Sequence, residues 1–258
     1  MGELAKRVFT AVIGIFLLLF IVNKGGILLA TTILLISFVG LLEIFHALES
    51  LNKKPIYSIG ILGSIGIYLS SITTFINLDF TLTAIIIMLL ITFLFSDKYD
   101  LDDIGLTLVS ILYIPFLLFH IYYLDGTPYI WLIFLIAFGT DTFAYIVGSL
   151  IGKHRLYEKV SPKKSIEGAI GGIIGATALV IVYSIIFDLS PIWLFIITSI
   201  VTSIFSQLGD LVASKLKRKA KIKDYGKIML GHGGIMDRFD SIIFASPLVY
   251  YFLILFIV

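Results

Sequence analysis

The chain has 258 residues, of which 59% are hydrophobic and 14% are charged, and its formal net charge is +2. Soluble domains usually carry about 25% charged residues, so this composition excludes an ordinary soluble protein. The sequence contains no cysteine, which excludes disulfide bonds, thiolate metal sites and a cysteine nucleophile.

Nine apolar segments follow one another along the chain, and a helix needs roughly 20 such residues to cross a bilayer. We therefore predict an all-α fold: a polytopic integral membrane protein with about nine transmembrane helices. The predicted spans cover residues 8–22, 26–46, 56–75, 80–95, 104–124, 129–151, 168–187, 191–211 and 241–258.

Lysine and arginine residues are distributed unevenly between the loops. If the N-terminus lies in the cytoplasm and the spans alternate, Lys24 is the only basic residue in an outer loop. Cytoplasmic loops of membrane proteins carry an excess of lysine and arginine. We therefore expect a cytoplasmic N-terminus, with cytoplasmic loops at residues 152–167 and 212–240.

The first half of the chain contains few polar groups, and residues 1–124 are expected to form a transmembrane scaffold. Glu43 and His46 are the exception, because they lie three residues apart on one face of the second span. We expect them to mark a solvated helix end or to form an interhelical hydrogen bond, and we assign them no catalytic role.

Asp141 lies near the middle of the sixth predicted span. An ionised side chain at this depth is costly and usually faces a polar cavity. We therefore favour a functional role for Asp141 over a simple ion pair with a neighbouring helix. The eighth span ends in a second polar feature, a stripe in which Asp210 and Ser214 share one helix face with Lys217. We predict that Asp210 belongs to the same site, with a solvated helix end as the alternative.

The loop after the sixth span contains two possible helix starts. Ser161 can cap a helix with Pro162 in its first position, or Ser165 can cap one with Glu167 just inside. Either start would direct free N–H groups and the positive end of the helix dipole toward an anion. The neighbouring Lys163 and Lys164 would strengthen this anion site, although attraction to lipid headgroups alone could also explain them.

The longest polar passage runs from residue 214 to residue 240, directly before the last span. Its first half is basic and suits an arm on an anionic membrane surface. Its second half contains the turn Gly231-His232-Gly233-Gly234. The glycines of this turn would let backbone N–H groups approach a phosphate. Asp237 and Asp240 follow at the start of the last span. A favourable interaction with the helix dipole accounts for one acid at this position, but less well for a pair.

Four acids are thus predicted near the cytoplasmic boundary with lysines around them: Asp141, Asp210, Asp237 and Asp240. Oxygen ligands without cysteine suit Mg²⁺, which commonly bridges to substrate phosphates. These residues point to phosphoryl or nucleotidyl transfer, where catalysis consists mainly of positioning and charge neutralisation. The sequence lacks the GxxxxGKS/T loop, so a P-loop enzyme is excluded.

The polar passage SKLKR-x4-KDYG-x4-GHGGIMDRFD resembles the C-terminal motif of the phosphatidate cytidylyltransferases, the CDP-diacylglycerol synthases. The upstream segments DTFAYIVGSLIGKH and SPKKSIEGAIGG also resemble central segments of that family. The resemblance implies a reaction in which CTP and phosphatidate give CDP-diacylglycerol and pyrophosphate, as a step of phospholipid biosynthesis.

The same resemblance implies roles for individual residues. Asp210 and Asp237 would hold Mg²⁺, with Asp240 and Asp141 as further candidate ligands and a second cation left open. The other two catalytic candidates are Lys223 and His232. The candidates for substrate binding are Ser161, Lys163, Lys164, Ser214, Arg218, Asp224, Gly231, Gly233, Gly234 and Arg238.

The implied partners are CTP, phosphatidate, membrane lipid and a second copy in a homodimer, and we expect no nucleic acid. Residues 125–258 would form the catalytic region, in the inner (plasma) membrane with its site facing the cytoplasm. A CTP-dependent polyprenol kinase is the alternative enzyme, because it resembles this family in its C-terminal region. A secondary transporter is less favoured, since the sequence shows no internal repeat.

Overall fold

The computed structural model describes residues 3–226 and 233–256, and it describes side chains in the first helix only from residue 12 onward. Helices dominate the described chain. They are α1 (Glu3–Lys24), α2 (Gly26–Glu49), α3 (Tyr57–Ile72), α4 (Leu78–Phe95), α5 (Leu101–Ile111), α6 (Leu117–Phe119), α7 (Ile130–Ile151), α8 (Ile166–Ile186), α9 (Ile192–Lys219) and α10 (Met236–Phe256). A π-helical turn (Leu112–Phe116) joins α5 to α6, a 3₁₀ turn (Tyr122–Leu124) follows α6, and the strands β1 (Arg155–Tyr157) and β2 (Ser161–Ser165) form an antiparallel hairpin.

Seven helical segments among the described residues are long and apolar enough to cross a membrane, counting Leu101–Leu124 as one. Two further apolar helices, Val12–Lys24 and Tyr57–Ile72, are shorter. The prediction of an all-α, polytopic membrane protein is therefore confirmed, whereas the count of nine spans stays a prediction.

The chain divides into two compact units. The first contains Met1–Gly126 with Lys219–Arg238, and the second contains Thr127–Arg218 with Phe239–Val258. Most of the long polar passage, which the sequence analysis grouped with the C-terminal region, thus packs with the N-terminal helices.

Helix α2 is a main packing element of the first unit. Its Phe45 is fully buried, and Gly60 of α3 approaches the Phe45 ring so closely that a Cβ at Gly60 would collide with it. Helix α5 begins with a capping box between Asp100 and Asp103, and the Asp103 carboxylate also accepts a hydrogen bond from the Lys54 N–H at 2.7 Å. The α2–α3 connection is therefore fixed to the start of α5.

Glycines bring α7 and α8 into close contact in the second unit. A Cβ at Gly168 or Gly172 would collide with the backbone carbonyl of Ala144 or Thr140, respectively. These two glycines lie four residues apart, a spacing typical of close helix packing in membranes. The Thr140 hydroxyl also donates a hydrogen bond to the Ser203 hydroxyl of α9 at 3.0 Å, so α7 is fixed on two sides.

The start of α8 distinguishes the two helix starts that the sequence left open. Ser165 caps the helix by accepting a hydrogen bond from the Gly168 N–H at 3.1 Å, and Glu167 lies in the first turn. The Ser161 alternative is wrong, because Ser161 and Pro162 lie in strand β2. Pairing with β1 competes successfully with helix formation at these residues.

Candidate active site

Three of the four predicted acids lie in the second unit: Asp141 on α7, Asp210 on α9 and Asp240 on α10. Asp240 is buried, at 8% exposure, and the charges of Asp210 and Asp141 both act on it. The Ser241 hydroxyl donates to Asp141 Oδ2 at 3.2 Å, and the Ser241 N–H donates to Asp240 Oδ1 at 2.8 Å. A cluster of three carboxylates is therefore built from three helices.

Gly209 makes this approach of α9 and α10 possible. A Cβ at this position would lie 2.7 Å from the backbone carbonyl oxygen of Asp240 and 2.7 Å from the Phe244 ring. Only a glycine therefore fits at the crossing without displacement. Because Asp210 follows Gly209 directly, the crossing also determines how near Asp210 lies to Asp240.

Basic and hydroxyl groups surround Asp210. Lys164 of β2 forms an ion pair with Asp210 Oδ2, and the Ser214 hydroxyl donates to Asp210 Oδ1 at 3.1 Å. The Lys217 charge attracts Asp240. The end of α9 is also tied to the hairpin, because Arg218 Nε donates to the Val160 carbonyl at 3.3 Å.

A cavity of about 490 Å³ opens beside the cluster. Two acids, Asp141 and Asp210, and three cations, Arg155, Lys163 and Lys164, are among the residues that line it. The cavity is large enough for a nucleotide-sized ligand by volume, since small-molecule sites usually measure about 300–1,000 Å³. Its charges suit a ligand that carries phosphates and bound cations.

The hairpin that carries Lys163 and Lys164 is held in place by Glu167. The Glu167 carboxylate accepts hydrogen bonds from the backbone N–H groups of Lys153 and His154 at 3.1 and 3.2 Å. It also pairs with His154 Nδ1 at 2.6 Å. The first turn of α8 thus fixes the chain where it leaves α7.

Asp237 belongs to the first unit, with Gly233, Gly234 and Arg238. Asp237 Oδ2 accepts hydrogen bonds from the N–H groups of Tyr225 and Gly234, both at 2.9 Å. Gly233 has a φ of +86°, and a Cβ there would lie 2.8 Å from Asp237 Oδ2. The Gly234 N–H, which the sequence analysis offered to a phosphate, is thus engaged by Asp237 in this structure.

The other predicted residues are placed as follows. Lys223 and Asp224 are exposed in the first unit, before Tyr225. Gly231 and His232 lie outside the described residues. No group of three His, Asp or Glu side chains in residues 3–226 and 233–256 has the geometry of a preformed metal site.

Comparisons with known proteins match nearly the whole chain. The sequence model of the "Cytidylyltransferase family" matches residues 5–256. The chain belongs to the cytidylyltransferase family. The phosphatidate cytidylyltransferase of Staphylococcus saprophyticus is 37% identical over 255 residues, which cover 94% of this chain and 96% of that protein. The phosphatidate cytidylyltransferase of Bacillus subtilis is 33% identical over 273 residues, covering 99% and 100%.

This family membership confirms the resemblance that the polar motif indicated, and it does not favour the polyprenol kinase. Sequence reasoning missed two residues that the structure brings to the cavity and its acids: Arg155 at the cavity and Ser241 beside Asp141. In the first unit it also missed the contact of Glu43 with the start of α10. Arg155 was one of several basic loop residues and Ser241 a serine after an acid, so neither stood out. Glu43 did stand out as a polar exception, but its partner lies 193 residues away.

Proposed function

We propose that the protein transfers a cytidylyl group from CTP to phosphatidate, forming CDP-diacylglycerol and pyrophosphate in phospholipid biosynthesis. The observation that carries this proposal is the cavity that is lined both by the acids Asp141 and Asp210 and by the cations Lys163 and Lys164. The relatives at 33–37% identity are named for this activity over nearly their full length.

The reaction requires one bond to form and one to break. A phosphate oxygen of phosphatidate attacks the α-phosphorus of CTP, and the bond between that phosphorus and the bridging oxygen of the β-phosphate breaks. The electron pair leaves on pyrophosphate. A phosphate monoester is already anionic near neutral pH, since its second pKa is about 6, so the protein needs no strong general base for the attack.

Charge neutralisation is then the main task of the side chains. Arg155, Lys163 and Lys164, which line the cavity, would bind CTP phosphates and stabilise the charge that develops on pyrophosphate. Lys164 would exchange part of its interaction with Asp210 for a substrate phosphate. Arg218, Ser214, Lys223 and Arg238 stay candidates for further substrate contacts.

We propose Mg²⁺ as the cofactor, held by Asp210 with Asp240 and Asp141. The chemistry of the donor set suits this ion, because it consists of carboxylates with no sulfur ligand, and the buried Asp240 feels the charges of the other two acids. The three side chains do not form a preformed metal site among the described residues. When bound, Mg²⁺ would neutralise phosphate charge. The assignment of Asp237 as a second ligand to the same ion stays a prediction from the sequence, and so does a second cation.

We also propose that the site faces the cytoplasm of the plasma membrane, that phosphatidate enters from the inner leaflet, and that the protein forms a homodimer. The clustering of basic residues in the loops at residues 152–167 and 212–240 supports this orientation. Apolar helices around the site support a membrane-embedded lipid substrate.

The test uses the purified protein in lipid nanodiscs with CTP and phosphatidate. Mass spectrometry should find CDP-diacylglycerol, a coupled assay should find pyrophosphate, and EDTA should abolish both products. Asp210→Asn should lower kcat by at least about 10²-fold. The matched control is Asp188→Asn, at an exposed loop residue with φ of +50° that asparagine also tolerates. Formation of CDP and a lipid monophosphate would instead identify a kinase.

A further inference from the structure

Glu43 is a buried carboxylate of α2, only 5% exposed, and lies in the N-terminal helices, to which the proposed reaction assigns no residue. Its Oε1 accepts a hydrogen bond from the Ile235 N–H at 3.0 Å, and its Oε2 accepts one from the Met236 N–H at 2.8 Å. The expectation of a solvated helix end at this position is wrong, and the hydrogen-bonding alternative is confirmed. Burying a carboxylate is costly unless such partners compensate it.

Glu43 and Asp237 together satisfy three successive backbone N–H groups. Asp237 accepts from Gly234, and Glu43 accepts from Ile235 and Met236. The first N–H groups of a helix have no partner within the helix, and a negative charge there is favoured by the helix dipole. Glu43 thus acts as a cap for α10 although it is remote in sequence.

The same helix face contacts the polar passage at further points. A Cβ at Gly226 or Gly234 would collide with the Glu43 carboxylate, so both glycines lie directly against it. The buried Met236 side chain packs against Gly40, one turn before Glu43. Near the end of α2, the Ser50 hydroxyl lies 3.2 Å from the Ala220 carbonyl and donates to it. Helix α2 and its C-cap Ser50 therefore contact the polar passage at Ala220, at Gly226 and at residues 234–236.

We infer that Glu43 is a positioning residue: it fixes the Gly233–Asp237 turn so that Asp237 presents its carboxylate in the geometry that catalysis requires. This inference rests on the proposed function and on the assignment of Asp237 as a metal ligand from the sequence. Glu43 touches no substrate in this account and acts only through the turn. Loss of its two acceptors would release the N–H groups of Ile235 and Met236 and shift Asp237 with them.

The test compares Glu43→Gln with the wild-type protein in nanodiscs. Glutamine keeps the size of the side chain but replaces one acceptor oxygen with an N–H donor that opposes a backbone N–H. We expect kcat to fall by about 10- to 100-fold, because a displacement on the order of 1 Å can cost about 10²-fold. The KM for phosphatidate should stay within about twofold, since uniform binding is not removed. Hydrogen exchange in a peptide covering residues 233–240 should become faster.

The matched control is Glu49→Gln on the same helix. Glu49 is exposed and accepts a hydrogen bond from the Tyr57 hydroxyl at 3.0 Å. This variant should leave both kcat and the exchange of residues 233–240 unchanged. If Glu43→Gln fails to fold, Glu43→Asp carries the test, because it keeps the charge but is one methylene shorter; it should show the same changes to a smaller degree.

Two results would overturn the inference. One is a wild-type kcat per folded molecule in the Glu43 variant, which would leave Glu43 a purely structural cap. The other is unchanged hydrogen exchange at residues 233–240 in the Glu43 variant, which would show that Glu43 does not stabilise this turn. The exchange measurement needs no substrate, so it still reports on Glu43 even if the wild-type protein makes no CDP-diacylglycerol and the proposed function fails.

Discussion

Replacement of Gly209 by alanine should separate the carboxylate cluster without removing any carboxylate. The new Cβ would lie 2.7 Å from the Asp240 carbonyl oxygen, whereas such carbon–oxygen contacts normally measure about 3.3–3.6 Å. Helices α9 and α10 must therefore separate by roughly 0.7 Å at this crossing. A misplacement on the order of 1 Å can cost about 10²-fold in rate, so we expect kcat to fall by about 10- to 100-fold. Overpacking should also destabilise the protein by about 1–3 kcal/mol.

The assay measures pyrophosphate release from CTP in nanodiscs, with the thermal unfolding midpoint recorded on the same samples. Gly105→Ala is the matched control, because Gly105 lies in helix α5 and a Cβ built there would meet no atom within 4 Å beyond its chain neighbours and the adjacent backbone of its own helix. That control should keep its activity and gain at most about 1 kcal/mol of stability. Wild-type kcat in Gly209→Ala would refute the reasoning that this crossing sets the geometry of Asp210 and Asp240.

Two further substitutions test the cations that line the cavity and the turn at residues 233–237. Lys164→Ala should raise the KM for CTP and lower kcat by about 10-fold or more, because it removes a cation that lines the cavity. The control is Lys159→Ala in the exposed hairpin turn, which should change neither constant. Equal effects of the two substitutions on steady-state kinetics would argue against a specific role of Lys164. Gly233→Ala should reduce activity and destabilise the protein by about 1–3 kcal/mol, since it combines a positive φ with a collision against Asp237. Its control is Gly126→Ala, at a glycine with a similar φ of +71° and no collision. This control should lose stability but keep full activity. Inactivation of both the Gly233 and the Gly126 variants would contradict a role for the Asp237 contact.

The parts of this fold that follow from local sequence were predictable. Long apolar runs identified the helices, because each helix must satisfy its own backbone hydrogen bonds in lipid. The four-residue spacing of Gly168 and Gly172 is also a local pattern, typical of close helix packing, but that their partner is α7 is known only from the structure. Asp141 and Asp210 could be assigned to one site because intramembrane acids need a polar environment, and both line one cavity.

The remaining features depend on tertiary contacts that no local pattern contains. Ser161 fits a helix cap as well as a strand, and only pairing between β1 and β2 decides between them. Glu43 carries no mark of its partner, because the N–H groups it accepts belong to Ile235 and Met236, far along the chain. The assignment of residues 219–238 to the first unit could not be predicted for the same reason. Ser50 and Glu43 contact backbone atoms of this segment, which every sequence contains, so no side chain marks the contact.

Two labels of CTP, followed in the same reaction with phosphatidate, distinguish transfer of the cytidylyl group from transfer of the γ-phosphate. Label in the α-phosphate should appear in the lipid extract, and label in the γ-phosphate should appear in pyrophosphate, because the cytidylyl group is transferred and the two outer phosphates leave. Transfer of the γ-label to lipid, with the α-label left in soluble CDP, would show that the protein is a kinase and does not transfer the cytidylyl group.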